Sequence, residues 1–200
     1  MILFDNPTSS NALKVRFLLA EMGLEYERRE VPLARPRPQW YLDVNALGGI
    51  PALQDGDLIL SESNAILRYL ANREGRIDLY PREPAARAAV DEFLDRFSMT
   101  LRPALYRVER HVLGFGGQPP DPAAARRAEK EIFDTLWLFN GLVEEEGYAL
   151  GWFTLADVAA APVLFRTTHT GLDLSPFPRL LRWRETVTSR PAFAWADPVQ

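Results

Sequence analysis

Residues 45–71 carry the strongest local structural signals of the chain: they read Asn-Ala-Leu-Gly-Gly-Ile-Pro-Ala-Leu-Gln-Asp-Gly-Asp-Leu-Ile-Leu-Ser-Glu-Ser-Asn-Ala-Ile-Leu-Arg-Tyr-Leu-Ala. Pro51 stands where a strand begins, a position at which its missing N–H is tolerated. The Asp55-Gly56 pair between two apolar runs predicts a β-hairpin. A helical pattern of apolar residues then follows three polar ones, Ser61, Glu62 and Ser63. Since unpaired N–H groups at a helix start attract a carboxylate, the stretch predicts a strand, a hairpin and a carboxylate-binding helix N-terminus.

The composition predicts a globular protein and argues against several classes of function. The chain has 200 residues, 47% of them apolar, which suffices for one or two packed domains. A net charge of −4 and dispersed arginines argue against a nucleic-acid-binding surface. The absence of cysteine excludes disulfides, a thiolate metal site and a cysteine nucleophile, and two distant histidines, His111 and His169, argue against a histidine-rich metal site. We expect a soluble cytoplasmic protein, because no signal-peptide pattern and no apolar run of about 20 residues is present.

The first part of the chain alternates between strand and helix patterns. Strands are predicted at 2–4, 25–31 and on both sides of the hairpin, and helices at 13–22, 39–42 and after Ser63. The resulting order β-α-β-α-β-β-α indicates an α/β domain over residues 1–75.

Strand patterns almost disappear after a linker rich in proline and charge at residues 76–84. Helical patterns cover residues 85–200, which predicts an all-α domain. The expected helices are 85–112, interrupted at Pro103, then 123–146, 154–168 and 177–189. Thr154 and Asp157 form a capping box at the start of the third of these helices, with a role in folding only.

Together these features resemble the glutathione S-transferase superfamily. Ile50-Pro51 before the third strand, Glu62-Ser63 at the next helix, a Leu-Tyr-Pro linker and a helical domain with a capping box follow in that order over essentially the whole chain. The resemblance implies a thioredoxin-like N-terminal domain that binds glutathione. It also implies an all-α C-terminal domain that shapes a pocket for an electrophile, and a homodimer.

The resemblance assigns glutathione-binding roles to four residues, Ile50, Pro51, Glu62 and Ser63. Ile50, before a cis proline, would pair its backbone with the cysteinyl part of glutathione as an added strand does. Ser63 and the helix N-terminus would hold the γ-glutamyl carboxylate, and Glu62 would hold the ammonium group. The alternative is that Ser61 or Ser63 only caps the helix.

Residues 37–41, Arg-Pro-Gln-Trp-Tyr, are similar to the Lys-Pro-Glu-Trp-Phe of omega-class and many bacterial members. There the lysine reaches glutathione, so Arg37 would offer a guanidinium fork to a carboxylate. Arg35 is a competing candidate, and a solvated loop arginine is the alternative role. Because the chain has no cysteine, the mixed-disulfide chemistry of omega- and beta-like members does not carry over with this similarity.

The resemblance places the catalytic position at Ser9, just before the first helix. A hydroxyl hydrogen bond and the positive helix end would hold the glutathione sulfur as a thiolate. One such bond, worth about 1.5–3 kcal/mol, lowers a thiol pKa by about one to two units. Ser10, Asn11 and Thr8 are the alternatives, and Ser9 is equally suited to capping the helix.

The second substrate is expected between the domains, with candidate lining at Phe97, Arg102, Tyr106 and Phe165. Helical spacing suits these residues to core packing equally well. Arg102 or Arg107 would suit an anionic electrophile.

The predicted function is attack of bound glutathione thiolate on a soft electrophile, as in detoxification, with glutathione as cosubstrate and no metal. One alternative is a non-catalytic binding or regulatory protein of the same fold, and another is an isomerase or dehalogenase that recycles glutathione. The expected partners are glutathione, a small electrophile and a second copy of the chain, with no nucleic acid and no membrane.

Overall fold

The N-terminal part is built on a small mixed sheet. The computed structural model describes residues 1–114, 118–145 and 147–196. Its four strands are β1 (Ile2–Asp5), β2 (Glu27–Glu30), β3 (Ala52–Asp55) and β4 (Leu58–Leu60), in the spatial order β2-β1-β3-β4. Strand β1 is parallel to β2 and antiparallel to β3, and β3 is antiparallel to β4. The predicted α/β arrangement is confirmed.

Three helices accompany the sheet: α1 (Ser10–Glu21), α2 (Gln39–Leu42) and α3 (Ser63–Arg73). The Ile50–Pro51 peptide bond is cis, as the resemblance implied, and Arg35–Pro36 is a second cis bond that the sequence analysis did not anticipate. The hairpin is confirmed with its turn one residue later than predicted, because Asp55 pairs with Leu58 and Gly56 takes the left-handed φ of +58°.

The C-terminal part is helical. Its elements are α4 (Pro84–Arg96), a π-helical segment (Phe97–Leu101), α5 (Arg102–Leu113), α6 (Pro122–Leu142), α7 (Leu155–Phe165), α8 (Thr167–Thr170), α9 (Pro178–Thr188) and α10 (Pro191–Ala196). Helix α6 ends before the predicted limit, because the glutamates that follow Val143 are disfavoured at the negative end of a helix. Residue 146 itself lies outside the described residues. The predicted helix 154–168 is two helices, and α10 was not predicted.

The π-helical segment lies where the sequence predicts an interruption near Pro103. Proline has no N–H to continue the α-helical ladder, and here the Arg102 N–H bonds to the Phe97 carbonyl five residues earlier. Helix α5 therefore starts afresh at Arg102, with Pro103 in its first turn.

One hydrophobic core joins the two parts, because α1 packs against α7 and α10. The Phe17 ring lies 6.1 Å from Phe153 and 5.5 Å from Phe193. Asp157 accepts hydrogen bonds from the N–H groups of Thr154 and Ala149, each at 2.8 Å, which confirms the capping box. This packing fixes the N-terminus of α1 beside the start of α5.

Candidate functional site

The N-terminus of α1 presents a serine to the segment that leads into β3. Ser9 is the N-cap residue, and its Oγ accepts the Ala12 N–H at 3.3 Å. The same hydroxyl lies 3.5 Å from the carbonyl oxygen of Ile50, to which it donates. Its capping role is therefore visible, and the hydroxyl also faces the residue before the cis proline.

The turn before Pro51 is held by side chains that the sequence analysis did not single out as site residues. The Tyr41 hydroxyl and the Asn45 amide both donate to the Gly49 carbonyl, the latter at 2.8 Å. Gly48 has a φ of +62°, and a Cβ there would meet the Arg37 Cγ at 2.9 Å, so the turn requires glycine. The sequence feature that could have predicted this role of Asn45 is its position shortly before Gly48 and Gly49, where an Asx turn is favoured.

Ile50 is left with an open backbone edge by this turn. Its N–H has no hydrogen-bond partner among the described residues, and its carbonyl accepts only the long Ser9 contact. A peptide-like ligand could therefore pair with Ile50 as an added strand.

Helix α3 begins without a side-chain cap. Glu62 occupies the N-cap position but makes no capping hydrogen bond, and it is exposed, whereas Ser63 is buried. By contrast, α1, α4, α6 and α7 are all capped by side chains. The first-turn N–H groups of α3 are thus available to an anion.

A cavity of about 620 Å³ lies between the N-terminus of α1, the loop before β3 and the face of α5. Its described lining is Thr8, Ser9, Ser10, Asn11, Leu33, Arg35, Arg37, Gly49, Ile50, Arg102, Pro103, Tyr106, Glu109, Arg110 and Gln118. The structure thus brings Ser9 and its alternatives together with both loop arginines, Ile50, Arg102 and Tyr106.

Some predicted site residues lie outside that lining. Pro51, Glu62 and Ser63 are not part of the cavity wall. Phe97 is fully buried with its ring 6.4 Å from Phe139, so it belongs to the core, the alternative that helical spacing left open. Phe165 packs on Phe193, with the ring centroids 5.0 Å apart, and does not line the cavity either.

Arg37 is fastened to its own loop. Its Nε donates to the Gly48 carbonyl at 3.0 Å, and its Nη1 donates to the Pro32 carbonyl at 2.6 Å. Burial lowers the pKa of Arg37, and the neighbouring Arg35 lowers it further. The Nη2 group makes no hydrogen bond to the described residues, so it can serve a ligand in the cavity.

Arg102 crosses from the helical part to the start of α1. Its Nη2 donates to the Ser10 Oγ at 2.9 Å and its Nε to the Asn11 Oδ1 at 3.5 Å. Its Nη1 is enclosed without a hydrogen-bond partner among the described residues. Burial lowers the pKa of Arg102, and the charge of Glu109 opposes that effect. The guanidinium is therefore a poorly compensated charge in the cavity wall.

A second cavity, of about 760 Å³, lies between α1, β2 and α10 and is lined in part by Arg16 and Trp195. It is larger than the first, but its buried arginine is fully engaged. Arg16 contacts Asp5 at 2.6 Å and donates to the carbonyls of Asn6, Pro7 and Ala196. We therefore place the chemistry at the cavity that contains Ser9.

Two further findings concern only the described residues. No cluster of three or more histidine, aspartate or glutamate side chains there is arranged to hold a metal ion. None of the helices in these ranges has the length and hydropathy needed to cross a bilayer.

Comparison with known proteins agrees with this arrangement. Residues 1–72 match the family model of the glutathione S-transferase N-terminal domain, and residues 106–191 match that of the C-terminal domain. Glutathione S-transferase GstB of Escherichia coli is 34% identical over 95% of this chain and 94% of its own length. A "Probable maleylacetoacetate isomerase" of Caenorhabditis elegans is 27% identical over 98% and 92%. The theta-class transferase of Xanthomonas axonopodis, solved with glutathione bound, superposes with a TM-score of 0.89 at 27% identity, covering 100% of this chain and 97% of its own.

Proposed function

Because the chain belongs to the glutathione S-transferase family, we propose that it binds glutathione and transfers it, as the thiolate, to a small electrophile. The observation that carries this proposal is the open backbone edge of Ile50 facing the Ser9 hydroxyl at 3.5 Å. The Ile50 backbone can pair with a peptide strand. The Ser9 hydroxyl can donate a hydrogen bond to an atom of the ligand that lies beside that strand. Glutathione has both features, a peptide backbone and a sulfur.

The proposed binding mode uses three parts of the N-terminal half. Ile50 pairs with the cysteinyl unit. The uncapped start of α3 receives the γ-glutamyl carboxylate, with Ser63 donating and Glu62 holding the ammonium group. The free Nη2 of Arg37 is placed for the glycyl carboxylate. The glutathione-bound Xanthomonas relative supports this mode by its similarity over the whole chain.

In the proposed mechanism, the thiol proton passes to solvent and the sulfur remains as a thiolate. The Ser9 hydroxyl turns from its long contact with Ile50 to donate to that sulfur, and the positive end of α1 adds to the stabilisation. The sulfur then attacks the electrophilic carbon and the leaving group departs with its electron pair. The protein contributes orientation and thiolate stabilisation.

The test separates binding from ionisation. Calorimetric titration with glutathione should show a loss of affinity of about tenfold or more for Ser63→Ala, because a hydrogen bond to a charged group is removed. Ser9→Ala should keep most of the affinity and raise the thiol pKa of bound glutathione by about one to two units. The thiolate absorbance of the complex, followed against pH, measures that pKa.

Ser61→Ala is the matched control, since Ser61 lies two residues before Ser63, in the loop that leads into α3. If Ser61→Ala and Ser63→Ala lose equal affinity for glutathione, both losses reflect a disturbed helix start and not a hydrogen bond from Ser63 to the ligand. If Ser10→Ala raises the thiol pKa and Ser9→Ala does not, Ser10 is the catalytic residue. Absence of glutathione binding in the unsubstituted protein would favour a non-catalytic protein of the same fold.

A second candidate function is isomerisation with recycled glutathione, which the similarity to the C. elegans relative favours. The two reactions differ in stoichiometry, because an isomerase releases product without net loss of free thiol. We further propose that the protein is a homodimer, which sedimentation analysis of the purified protein tests, and that it lies in the cytoplasm, which cell fractionation tests.

A further inference from the structure

The cavity lined by α5 carries an excess of positive charge. Arg102, Tyr106, Glu109 and Arg110 all line the cavity, and their spacing of three to four residues places them along one side of the helix. Arg35 and Arg37 lie in the lining contributed by the loop. Four arginines therefore line a cavity of about 620 Å³.

The carboxylate available to balance this charge is already paired. Glu109 is the single acidic residue in the described lining, and its Oε1 lies 2.9 Å from the Nε of Arg166. Both side chains of that pair are buried, with 7% exposure each. Arg102 and Arg166 thus share one negative charge, and the pair leaves Arg102 without a carboxylate of its own.

Apart from the Tyr106 ring, whose centroid lies 5.3 Å from the guanidinium carbon, the contacts of Arg102 are hydrogen bonds, and none of them supplies a negative charge. Its two bonds go to the neutral side chains of Ser10 and Asn11, and its Nη1 is enclosed without a partner in the described part of the chain. Since burying an uncompensated cation is costly, an anion from outside the chain would bind favourably at this guanidinium.

Glutathione, bound as proposed, does not supply that anion. Its two carboxylates go to the start of α3 and to Arg37, both in the N-terminal half. Arg102 and Arg110 lie on the opposite wall, where the second substrate would bind.

We propose that the electrophile conjugated by this protein carries a carboxylate, which binds at Arg102 with Arg110 at the cavity mouth. This inference rests on the proposed function. The carboxylate neutralises the guanidinium that the fold leaves unpaired and directs the reacting carbon toward the sulfur beside Ser9. The exposed Arg110 adds long-range attraction for an anion.

A matched pair of aryl chlorides tests the proposal. In 4-chloro-3,5-dinitrobenzoate and its carboxamide, thiolate attack forms a C–S bond at the chlorinated carbon and releases chloride with the bonding electrons. The two compounds differ in charge at the group opposite the reacting carbon. After correction for the uncatalysed rates, kcat/KM should favour the benzoate by about tenfold or more, the factor expected for one charge-assisted hydrogen bond.

Arg102→Gln should bring the ratio of the two kcat/KM values close to one, and Arg102→Lys should retain part of the preference. Arg107→Gln is the control, because Arg107 is exposed on the same helix and does not line the cavity. A ratio near or below one in the unsubstituted protein overturns the proposal. So does an equal loss for both compounds in Arg102→Gln, which would assign Arg102 to the thiolate or to the fold.

Binding of the two conjugates keeps the proposal separate from the proposed function. Calorimetric titration with the product of each reaction requires no turnover, and the carboxylated conjugate should bind about tenfold more tightly than its carboxamide. If glutathione binds and the two conjugates bind equally, the carboxylate proposal fails while the transferase proposal stands. If the conjugates differ as expected but no turnover occurs, the site is confirmed and the transferase proposal fails.

Discussion

Lys14 is a cation enclosed between α1 and α3. It is 2% exposed, and its Nζ donates to the Asn64 Oδ1 at 3.0 Å. The pKa of Lys14 is lowered from 10.5 to about 7, mainly by burial and also by the charge of Arg102, while the charge of Glu62 opposes both effects. The residue therefore couples the stability of the fold to pH near neutrality.

The sign of that coupling follows from which state binds the proton. Below pH 7 both the folded and the unfolded chain carry the charge, so the folded state bears the full cost of burying it. Between pH 7 and 10.5 the unfolded chain keeps a proton that the folded chain has released, so the free energy of unfolding rises with pH. The rise should approach about 1.4 kcal/mol per pH unit.

Urea denaturation at fixed ionic strength measures this rise, from pH 7 up to the tyrosine range near 10. Lys14→Met should remove it while filling the same space. Lys130→Met is the control, because Lys130 is the other lysine of the chain and is exposed. Parallel pH profiles for Lys14→Met and the unsubstituted protein would show that Lys14 is not the titrating group.

At the level of single residues, the sequence could predict positions but not contacts. The resemblance placed the predicted roles on Ser9 and Ile50, and the features that anchor it there, a helix start and an X-Pro bond, leave local signals in the sequence. The Arg102 contact with Ser10 and Asn11 joins residues about 90 positions apart, and no local pattern encodes such a distance. Lys14 reads as an ordinary polar position of an amphipathic helix, and only the packing of α3 over it reveals that it is buried.

Two aspartates at helix N-termini, the N-cap residue of α6 and the capping-box residue of α7, differ in what they stabilise. Asp121 caps α6 at an exposed position and accepts the N–H groups of Ala123 and Ala124. Asp157 is fully buried and accepts four hydrogen bonds from three residues, Ala149, Thr154 and Trp183. Burial raises the pKa of Asp157 and these hydrogen bonds oppose that effect. The buried Asp157 carboxylate therefore connects α7, α9 and the loop between α6 and α7.

Asp121→Ala should therefore lower the free energy of unfolding by about 1 kcal/mol, the usual cost of an exposed cap. Asp157→Ala should lower it by about 3–5 kcal/mol, because buried donors lose their acceptor. Urea denaturation of both variants gives the comparison. Equal and small losses would mean that the Asp157 network relaxes around the substitution.

Whole elements were predicted best where the sequence pattern agrees with the packing. Helix α2 was predicted at its observed residues, and the capping box marked α7. The break between α7 and α8 and the existence of α10 escaped prediction, because short helices with few residues give weak periodicity. Helix α10 is held mainly by long-range contacts, such as the Arg16 Nε bond to the Ala196 carbonyl at 2.8 Å.

On the scale of the molecule, the two predicted domains share one core. Phe17 of α1 packs on Phe193, and Glu21 pairs with Arg190 at 2.6 Å. The linker between the two domains is attached to the helical part as well, since the Leu155 N–H bonds to the Leu79 carbonyl at 3.0 Å. Burial of one large apolar side chain stabilises by about 1.5–3 kcal/mol, and a domain of this size has only about 4–11 kcal/mol in total. Exposing the several apolar side chains of α1 that contact α7 and α10 would therefore cost about as much free energy as the whole stability of the N-terminal part.

A fragment of residues 1–75 should accordingly fail to fold alone, although it contains the whole sheet and the proposed glutathione-binding residues. Circular dichroism should show no cooperative urea transition for the fragment, whereas the full chain should unfold in a single transition. Adding a separately expressed fragment of residues 76–200 should restore the transition, because it supplies the missing face of the core. A cooperative transition of the 1–75 fragment by itself would show that the boundary at residues 76–84 separates two independently stable domains. The geometry of the proposed carboxylate site at Arg102 would then depend on how two independently stable domains pack against each other, and not on one continuous core.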